Sequence, residues 1–282
     1  MTAIEFMFAP FVVCILLIGI NIYFGIHVIK REIIFIDIAL AQIAALGGIF
    51  ATVYHHIVQS SASHSHEERT VLGYLLALGF TILAAAIFTI LKSKKLPIPL
   101  ESLIGIAYAV AATGSVILLD KAAGSDVHFH DMVAGSILWV TWGQIVELLI
   151  VFSIVGGFHF IFRKKFIALT DNYNKSQGFS FLWDFLFYAS FGIVVVHSVA
   201  VGGILTIFAF LIIPASISAL FSANWKARII TGWILGTVVT VCGLYLSWIM
   251  DVPSGPTVIL FLGVALILAL GLKYLGITKS PQ

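Results

Sequence analysis

The sequence predicts an all-α protein, a polytopic transmembrane helical bundle of about eight to nine spans with a short re-entrant helix. Of its 282 residues, 61% are hydrophobic and only 10% are charged, which is too little polar surface for a water-soluble globule of this size. The apolar residues form runs of roughly 20, the helix length that crosses the hydrocarbon core. We therefore expect a single transmembrane domain over residues 1–282.

Nine apolar runs are long enough to cross the bilayer at about 1.5 Å per residue. The predicted spans are Glu5–Ile29, Ile33–Tyr54, Val71–Leu91, Leu100–Leu119, Trp142–Phe162, Leu182–Val201, Gly203–Phe221, Ile229–Met250 and Thr257–Leu275. Since no basic segment precedes the first run, we expect it to be retained and not cleaved as a signal peptide.

The basic residues predict the orientation. When the nine runs alternate in direction, thirteen of the fifteen Lys and Arg residues fall on one side, which the positive-inside rule makes cytoplasmic. The N-terminus is then outside and the C-terminus cytoplasmic. The thirteen are Lys30, Arg31, Lys92, Lys94, Lys95, Arg163, Lys164, Lys165, Lys175, Lys226, Arg228, Lys273 and Lys279.

The segment Val127–Val140 is apolar after Asp131 but too short to span. If it crossed, the basic residues at 163–165 would face outward, against the charge asymmetry. We interpret it as a re-entrant or surface-lying helix. Backbone of this kind is tolerated at membrane depth only beside protein or a water-filled cavity, so it indicates a pathway.

Histidines concentrate on the predicted extracytoplasmic side, in the loop 54–69 and before the re-entrant segment. Imidazole and carboxylate suit zinc and related divalent ions, so we interpret these residues as a site of transient metal capture. The alternative is a solvated polar loop with incidental histidines. The capture candidates are His55, His56, His64, His66, His128, His130 and Asp131.

Three ionisable residues inside the spans are candidates for a metal pathway, because such groups are costly in the membrane. Asp37 shares a helical face with the small residues Ala41 and Ala44, whereas Glu147 and His197 lie in the outer halves of their spans. The alternative for each is a packing contact with a neighbouring helix. For His27 and His159, near cytoplasmic span ends, reaching the interface is the simpler interpretation.

The residue pattern in the cytoplasmic loop 163–180 predicts a short amphipathic helix. This helix docks on a cytoplasmic partner, or alternatively lies on the lipid interface. Its apolar residues recur at about helical spacing among charged ones; they are Phe166, Ile167, Leu169 and Tyr173.

Motifs of a known family are found at residues 30–42, 201–215 and 251–257, and more weakly at 103–105 and 135–138. They resemble the permease subunits of bacterial ABC importers for zinc, manganese or iron. In that family a histidine follows the aspartate matching Asp37 by one turn, whereas this chain has Ala41 there, followed by Gln42. The resemblance therefore implies a metal-passage role for Asp37 but supplies no histidine partner, and we expect His197 to replace it.

The resemblance also implies the assembly: a homodimer of permeases, two cytoplasmic ATP-binding subunits and an extracytoplasmic metal-binding protein, in a bacterial inner membrane. It places ATPase coupling at Asp171, Asn172 and Gly178, although bulkier residues near Asn174 depart from the family's pattern. The chain itself is then a pore-forming subunit, not an enzyme, with no permanently bound cofactor.

The sequence thus predicts the permease of an ATP-driven importer for a divalent metal, with zinc first because of the imidazole-rich mouth and manganese or iron next. The alternatives are a secondary metal transporter, and a membrane enzyme or haem protein. A net charge of +2 gives no reason to expect a nucleic-acid partner.

Overall fold

A computed structural model describes residues 3–58, 66–94, 96–120, 137–173 and 180–275. The described residues form ten α-helices and one 3₁₀ turn, Ile137–Trp139. The helices are α1 (Ala3–Lys30), α2 (Ile36–Val58), α3 (His66–Ser93), α4 (Leu100–Asp120), α5 (Trp142–Ile161), α6 (Arg163–Asp171), α7 (Phe181–Gly202), α8 (Ile204–Phe221), α9 (Trp225–Met250) and α10 (Ser254–Tyr274).

Within these residues nine helices, all except α6, are long and apolar enough to cross a membrane, which confirms the predicted helical membrane fold. The largest differences in predicted starts are at α3, which begins at His66 and not at Val71, and at α9, which begins at Trp225 and not at Ile229. Asn224 caps this helix, since its side chain accepts a hydrogen bond from the Lys226 backbone N–H at 2.9 Å. Hydrophobicity misses this first turn because it carries Lys226 and Arg228.

The predicted re-entrant segment lies mostly outside the described residues. Its last four residues are described and contain the 3₁₀ turn, in which Ile137 is buried and Trp139 is exposed. The prediction of a short re-entrant helix over the whole segment therefore stays a prediction.

Residues 1–31, 131–163 and 197–282 form one compact unit. In this first unit α1 packs against α5, α8 and α9, and α8 packs against α9 and α10. Helices α1 and α8 are its most buried spans, as expected for helices that are apolar on all sides. Two polar contacts tie it together: the Trp233 indole N–H donates to the Gly19 carbonyl, and the Lys273 ammonium to the Leu220 carbonyl.

Residues 32–130 and 164–196 form the second compact unit. Here α2 packs against α3 and α4, and few residues of the latter two are buried, as expected for helices that face lipid. The small residues Ala41, Ala44 and Gly47 of α2 are buried. The prediction of one permease domain over the whole chain stays a prediction.

Two positions of the first unit require glycine for geometric reasons. A methyl group on Gly25 of α1 would lie 1.9 Å from the carbonyl oxygen of Leu211 in α8, so only glycine allows this close approach. Gly203 is the one residue between α7 and α8, and its φ of 74° and ψ of 158° are essentially restricted to glycine.

Candidate functional site

Asp37 lies in the first turn of α2, where the positive end of the helix dipole favours a carboxylate. Only 2% of its surface is exposed, and Ala41 and Ala44 on the same face are also buried. Its Oδ1 atom has no hydrogen-bond partner among the described residues. A buried carboxylate oxygen without a partner is costly, so this atom is an available ligand for a cation.

Gln42 is a second buried oxygen donor on α2, with 5% of its surface exposed. Its Oε1 atom likewise has no hydrogen-bond partner within the part of the chain that the structure describes. Five residues of α-helix rotate a side chain by about 140°, so Asp37 and Gln42 leave the helix on different sides. The two residues therefore offer separate oxygen positions instead of one shared chelate.

Glu147 of α5 and His197 of α7 come together in the first unit, with 3.7 Å between Glu147 Oε1 and His197 Nε2. This is longer than a hydrogen bond. Two ligand atoms roughly 2.1 Å from one tetrahedral metal ion lie about 3.4 Å apart, close to the observed separation. Because the His197 side chain is 4% exposed and that of Glu147 is 59% exposed, the buried imidazole meets a carboxylate with open space beside it.

Polar groups continue from this pair along α7 to α1. Ser198 follows His197, and its Oγ accepts a 3.4 Å hydrogen bond from the Asn21 amide nitrogen. Asn21 is fully buried, and its Oδ1 atom has no hydrogen-bond partner in the described ranges. Asn21 was not predicted from the sequence because its side chain is not ionisable; an amide in the middle of an apolar run was the available signal.

The remaining predicted metal ligands are not tested by this geometry. His64, His128, His130 and Asp131 lie outside the described residues, as do the side chains of His55, His56 and His66. Within the described residues, no group of three or more His, Cys, Asp or Glu side chains has metal-binding geometry. Asp37 belongs to the second unit and His197 to the first, so their expected partnership stays a prediction.

His27 and His159 do not reach the interface, and that interpretation is wrong. Both are buried in the first unit: the Tyr23 hydroxyl lies 3.1 Å from His159 Nδ1, and the His27 ring lies 4.7 Å from that of Trp225. Neighbouring aromatic side chains cover the two imidazoles. The interpretation that a histidine near a span end reaches the interface assumes that lipid surrounds the helix at that position, whereas here protein surrounds it.

The predicted amphipathic helix of loop 163–180 is present as α6. Phe166 is buried, with its ring edge-on to Trp183 at 5.5 Å and near Phe187 at 6.3 Å, both in the first turns of α7. The candidate coupling residues Asp171 and Asn172 are exposed at the other end of α6, whereas Gly178 lies outside the described residues. The helix therefore rests on α7 and leaves a polar surface open.

A charged pair lies beside this helix in the second unit. Lys92, in the last turn of α3, forms an ion pair with Asp184, in the first turn of α7. The Lys92 ammonium also lies 4.0 Å from the centre of the Tyr173 ring, and the Tyr173 hydroxyl lies 2.6 Å from that of Tyr188. Asp184 was not among the residues predicted from the sequence, although it is a carboxylate at the third position of a predicted span.

Within the described residues, nine helices that are apolar enough to span a membrane, together with a few buried polar and ionisable side chains, define an α-helical polytopic membrane protein that offers cation ligands. The chain belongs to the ABC 3 transport family, whose sequence model matches residues 3–273. The match includes nine helices in full and α10 up to its penultimate residue, and with them the candidate residues on α2, α5, α6 and α7.

Individual relatives match parts of the chain in sequence, and a solved structure matches its fold. A probable metal transport system membrane protein of Chlamydia muridarum is 27% identical over 185 residues, 64% of this chain and 63% of that protein, so the chain spans slightly under two thirds of this relative's length. The manganese transport system membrane protein MntC of Listeria monocytogenes is 25% identical over 217 residues, 72% of this chain and 76% of that one. The fold is similar to that in PsaBC from Streptococcus pneumoniae in complex with Fab, with a TM-score of 0.71 at 18% identity over 94% of this chain and 91% of the other.

Proposed function

We propose that the chain is the permease subunit of an ATP-driven importer for a divalent metal ion in a bacterial inner membrane. The observation that carries this proposal is the family match over residues 3–273, which includes every candidate pathway residue. Relatives with metal transport or manganese transport in their names support metal as the cargo class.

Manganese is the metal we propose first. The relative from Listeria monocytogenes is a manganese transport protein, and the buried donors on α2 are oxygens, which suit manganese better than zinc. The histidines predicted at the extracytoplasmic mouth favour zinc, so zinc is the competing cargo. A direct comparison of the two ions distinguishes them.

The proposed pathway uses the Glu147–His197 pair and Asp37 as transient ligands. A divalent ion in the hydrocarbon region needs negative charge and donors to replace its water. The pair supplies one carboxylate and one imidazole at a spacing that a single ion can bridge, and Asp37 supplies a buried carboxylate oxygen. Few ligands at each position suit an ion that must also leave.

The proposed assembly contains a second copy of the chain, two cytoplasmic ATP-binding subunits and an extracytoplasmic metal-binding protein. The exposed end of α6, with Asp171 and Asn172, is the docking surface for an ATP-binding subunit. The basic residues 163–165 at the start of this helix are among those from which the positive-inside rule predicts the cytoplasmic side. The N-terminus is then extracytoplasmic and the C-terminus cytoplasmic.

The decisive experiment co-expresses the chain with its candidate ATP-binding subunit and metal-binding protein and reconstitutes the complex in liposomes. We expect a stable complex, manganese uptake that requires ATP, and stronger stimulation of ATP hydrolysis by manganese than by zinc. A chain that binds no ATP-binding subunit, yet moves metal under an ion gradient, would contradict the proposal. A larger response to zinc would change only the cargo.

Variants test the pathway residues in the same liposomes. Asp37→Asn is nearly isosteric but loses the charge, and we expect it to lower uptake about tenfold or more, since even outer partners of metal ligands are worth roughly 10–100-fold in affinity. Glu147→Gln tests the pair in the same way. Asp251→Asn is the matched control, because Asp251 is exposed at a helix end and its φ of 52° suits Asn. Equal uptake by all three variants would remove these residues from the pathway.

A further inference from the structure

Three elements of the second unit meet around one ammonium group. Lys92 lies in the last turn of α3, Asp184 and Tyr188 belong to α7, and Tyr173 lies in the turn after α6. We call these four residues the lysine junction. The side chains of Lys92 and Asp184 are 11% and 2% exposed, so the ion pair lies almost entirely inside the protein.

A buried pair of this kind is better suited to specifying geometry than to adding stability. Desolvation offsets much of the attraction between buried charges, so a buried pair contributes little net stability compared with apolar packing. The position of each partner is nevertheless strongly constrained, because separating them leaves a charge in a low-dielectric surrounding. The junction therefore fixes the end of α3 against α7.

The other side of the junction reaches α6. The Tyr173 ring faces the Lys92 ammonium, a cation–π contact that strengthens when water is excluded. Phe166 holds α6 itself on the first turns of α7, and the Lys165 ammonium lies 4.4 Å from the Trp183 ring centre. Helix α6, Tyr173 and the start of α7 thus form one packed corner, to which Lys92 connects a different span.

Helix α3 is a suitable element to carry a displacement. It is continuous from His66 to Ser93 without a proline, which is about 40 Å at 1.5 Å per residue. Its first residue is one of the histidines of the predicted extracytoplasmic loop. A shift imposed on its Lys92 end therefore reaches the segment that borders the proposed metal-capture loop.

From this arrangement we infer that Lys92 is a positioning residue that links the α6 corner to α3, so that movement of a docked ATP-binding subunit is transmitted to that span. The inference rests on the proposed function, because it requires a subunit docked at α6. It identifies which side chain couples docking to the transmembrane helices, through its contacts with Asp184 and Tyr173.

The test measures metal ions transported per ATP hydrolysed, a ratio that a general loss of folded protein does not change. The main variant is Lys92→Met with Asp184→Asn, which removes both charges and leaves neither buried without its partner. A second variant, Tyr173→Leu, removes the ring over Lys92 without changing any charge. Lys94→Met is the matched control, because Lys94 is an exposed lysine two residues further on.

We expect the double variant to lower the ratio about fivefold or more, the lower end of typical coupling between sites. Tyr173→Leu should lower it in the same direction, and Lys94→Met should keep the wild-type ratio. The inference is overturned if the double variant keeps the wild-type ratio, or if Lys94→Met lowers the ratio equally. If the double variant does not assemble, Tyr173→Leu decides alone, and a wild-type ratio there overturns the inference.

Wild-type protein separates this inference from the proposed function. Wild-type chain that forms no complex with an ATP-binding subunit refutes the proposed function, whatever the variants do. Wild-type chain that transports metal, with variants of unchanged ratio, refutes only the role of Lys92.

Discussion

Replacing Gly25 by alanine should force α1 and α8 apart. The added methyl carbon would lie 1.9 Å from the Leu211 carbonyl oxygen and 2.9 Å from the Leu211 carbonyl carbon. Carbon and oxygen atoms that are not bonded need at least 3 Å, so the backbones must separate by about 1 Å. Both obstacles are backbone atoms, and no change of rotamer relieves the contact.

Overpacking a close-packed interior costs about 1–3 kcal/mol, and we expect Gly25→Ala near the top of this range because two helix backbones must move. Gly19 in the same helix is the matched control, since a methyl group there meets no atom within 4 Å. Gly19→Ala should change the free energy of unfolding by at most about 0.5 kcal/mol, as substitutions away from tight contacts do.

The assay is equilibrium unfolding of the purified variants in mixed detergent micelles, followed by tryptophan fluorescence. Trp233 is a suitable reporter because its indole N–H donates to the Gly19 carbonyl of α1. Gly25→Ala that unfolds at the same denaturant concentration as Gly19→Ala would refute the close packing of α1 on α8. A loss in both variants would show that α1 tolerates no added methyl group and would refute the contact argument.

Two further predictions concern the ends of α7. Gly203→Ala should cost about 1–3 kcal/mol, because an L-residue is strained at this backbone conformation; the same unfolding assay measures it, and wild-type stability would contradict the turn geometry. Phe166→Ala should cost about 3–5 kcal/mol of local packing and release α6, which lowers recovery of the ATP-binding subunit in pull-down. Leu169→Ala, at a half-buried position of the same helix, is its control and should retain more of the subunit; equal retention by both would contradict the role of Phe166.

The spans could be predicted from the sequence because their cause is local. A run of apolar residues as long as the bilayer is thick has few alternatives to a helix, since unpaired backbone groups are too costly in lipid. The early start of α9 also has a local cause, because its capped first turn with two basic residues is helical but not apolar. Hydrophobicity detects the membrane-crossing part of a helix, and capping determines where the helix begins.

The site was predictable residue by residue, but its contacts were not. The cost of an ionisable group in a span identified Glu147 and His197 separately. Their proximity depends on how α5 and α7 pack, fifty positions apart in the chain, and no local pattern encodes that. The ion pair of Lys92 with Asp184 was also not predicted. A lysine at a span end is usually explained by the interface alone, so it gives no reason to expect a buried partner.

Under the proposed function, the donor chemistry differs between the extracytoplasmic mouth and the buried part of α2. This difference explains why the sequence favours zinc and the relatives favour manganese. The predicted mouth is rich in imidazole, which binds zinc well and manganese weakly. The buried donors on α2 that have no hydrogen-bond partner among the described residues are a carboxylate and a carboxamide oxygen, which suit a harder ion. This order suits an importer. Weak binding at the mouth allows the ion to exchange quickly, whereas in the membrane interior the ion has lost its water and its binding depends strongly on each buried oxygen. Metal selectivity is therefore expected to follow Asp37 more closely than the histidines.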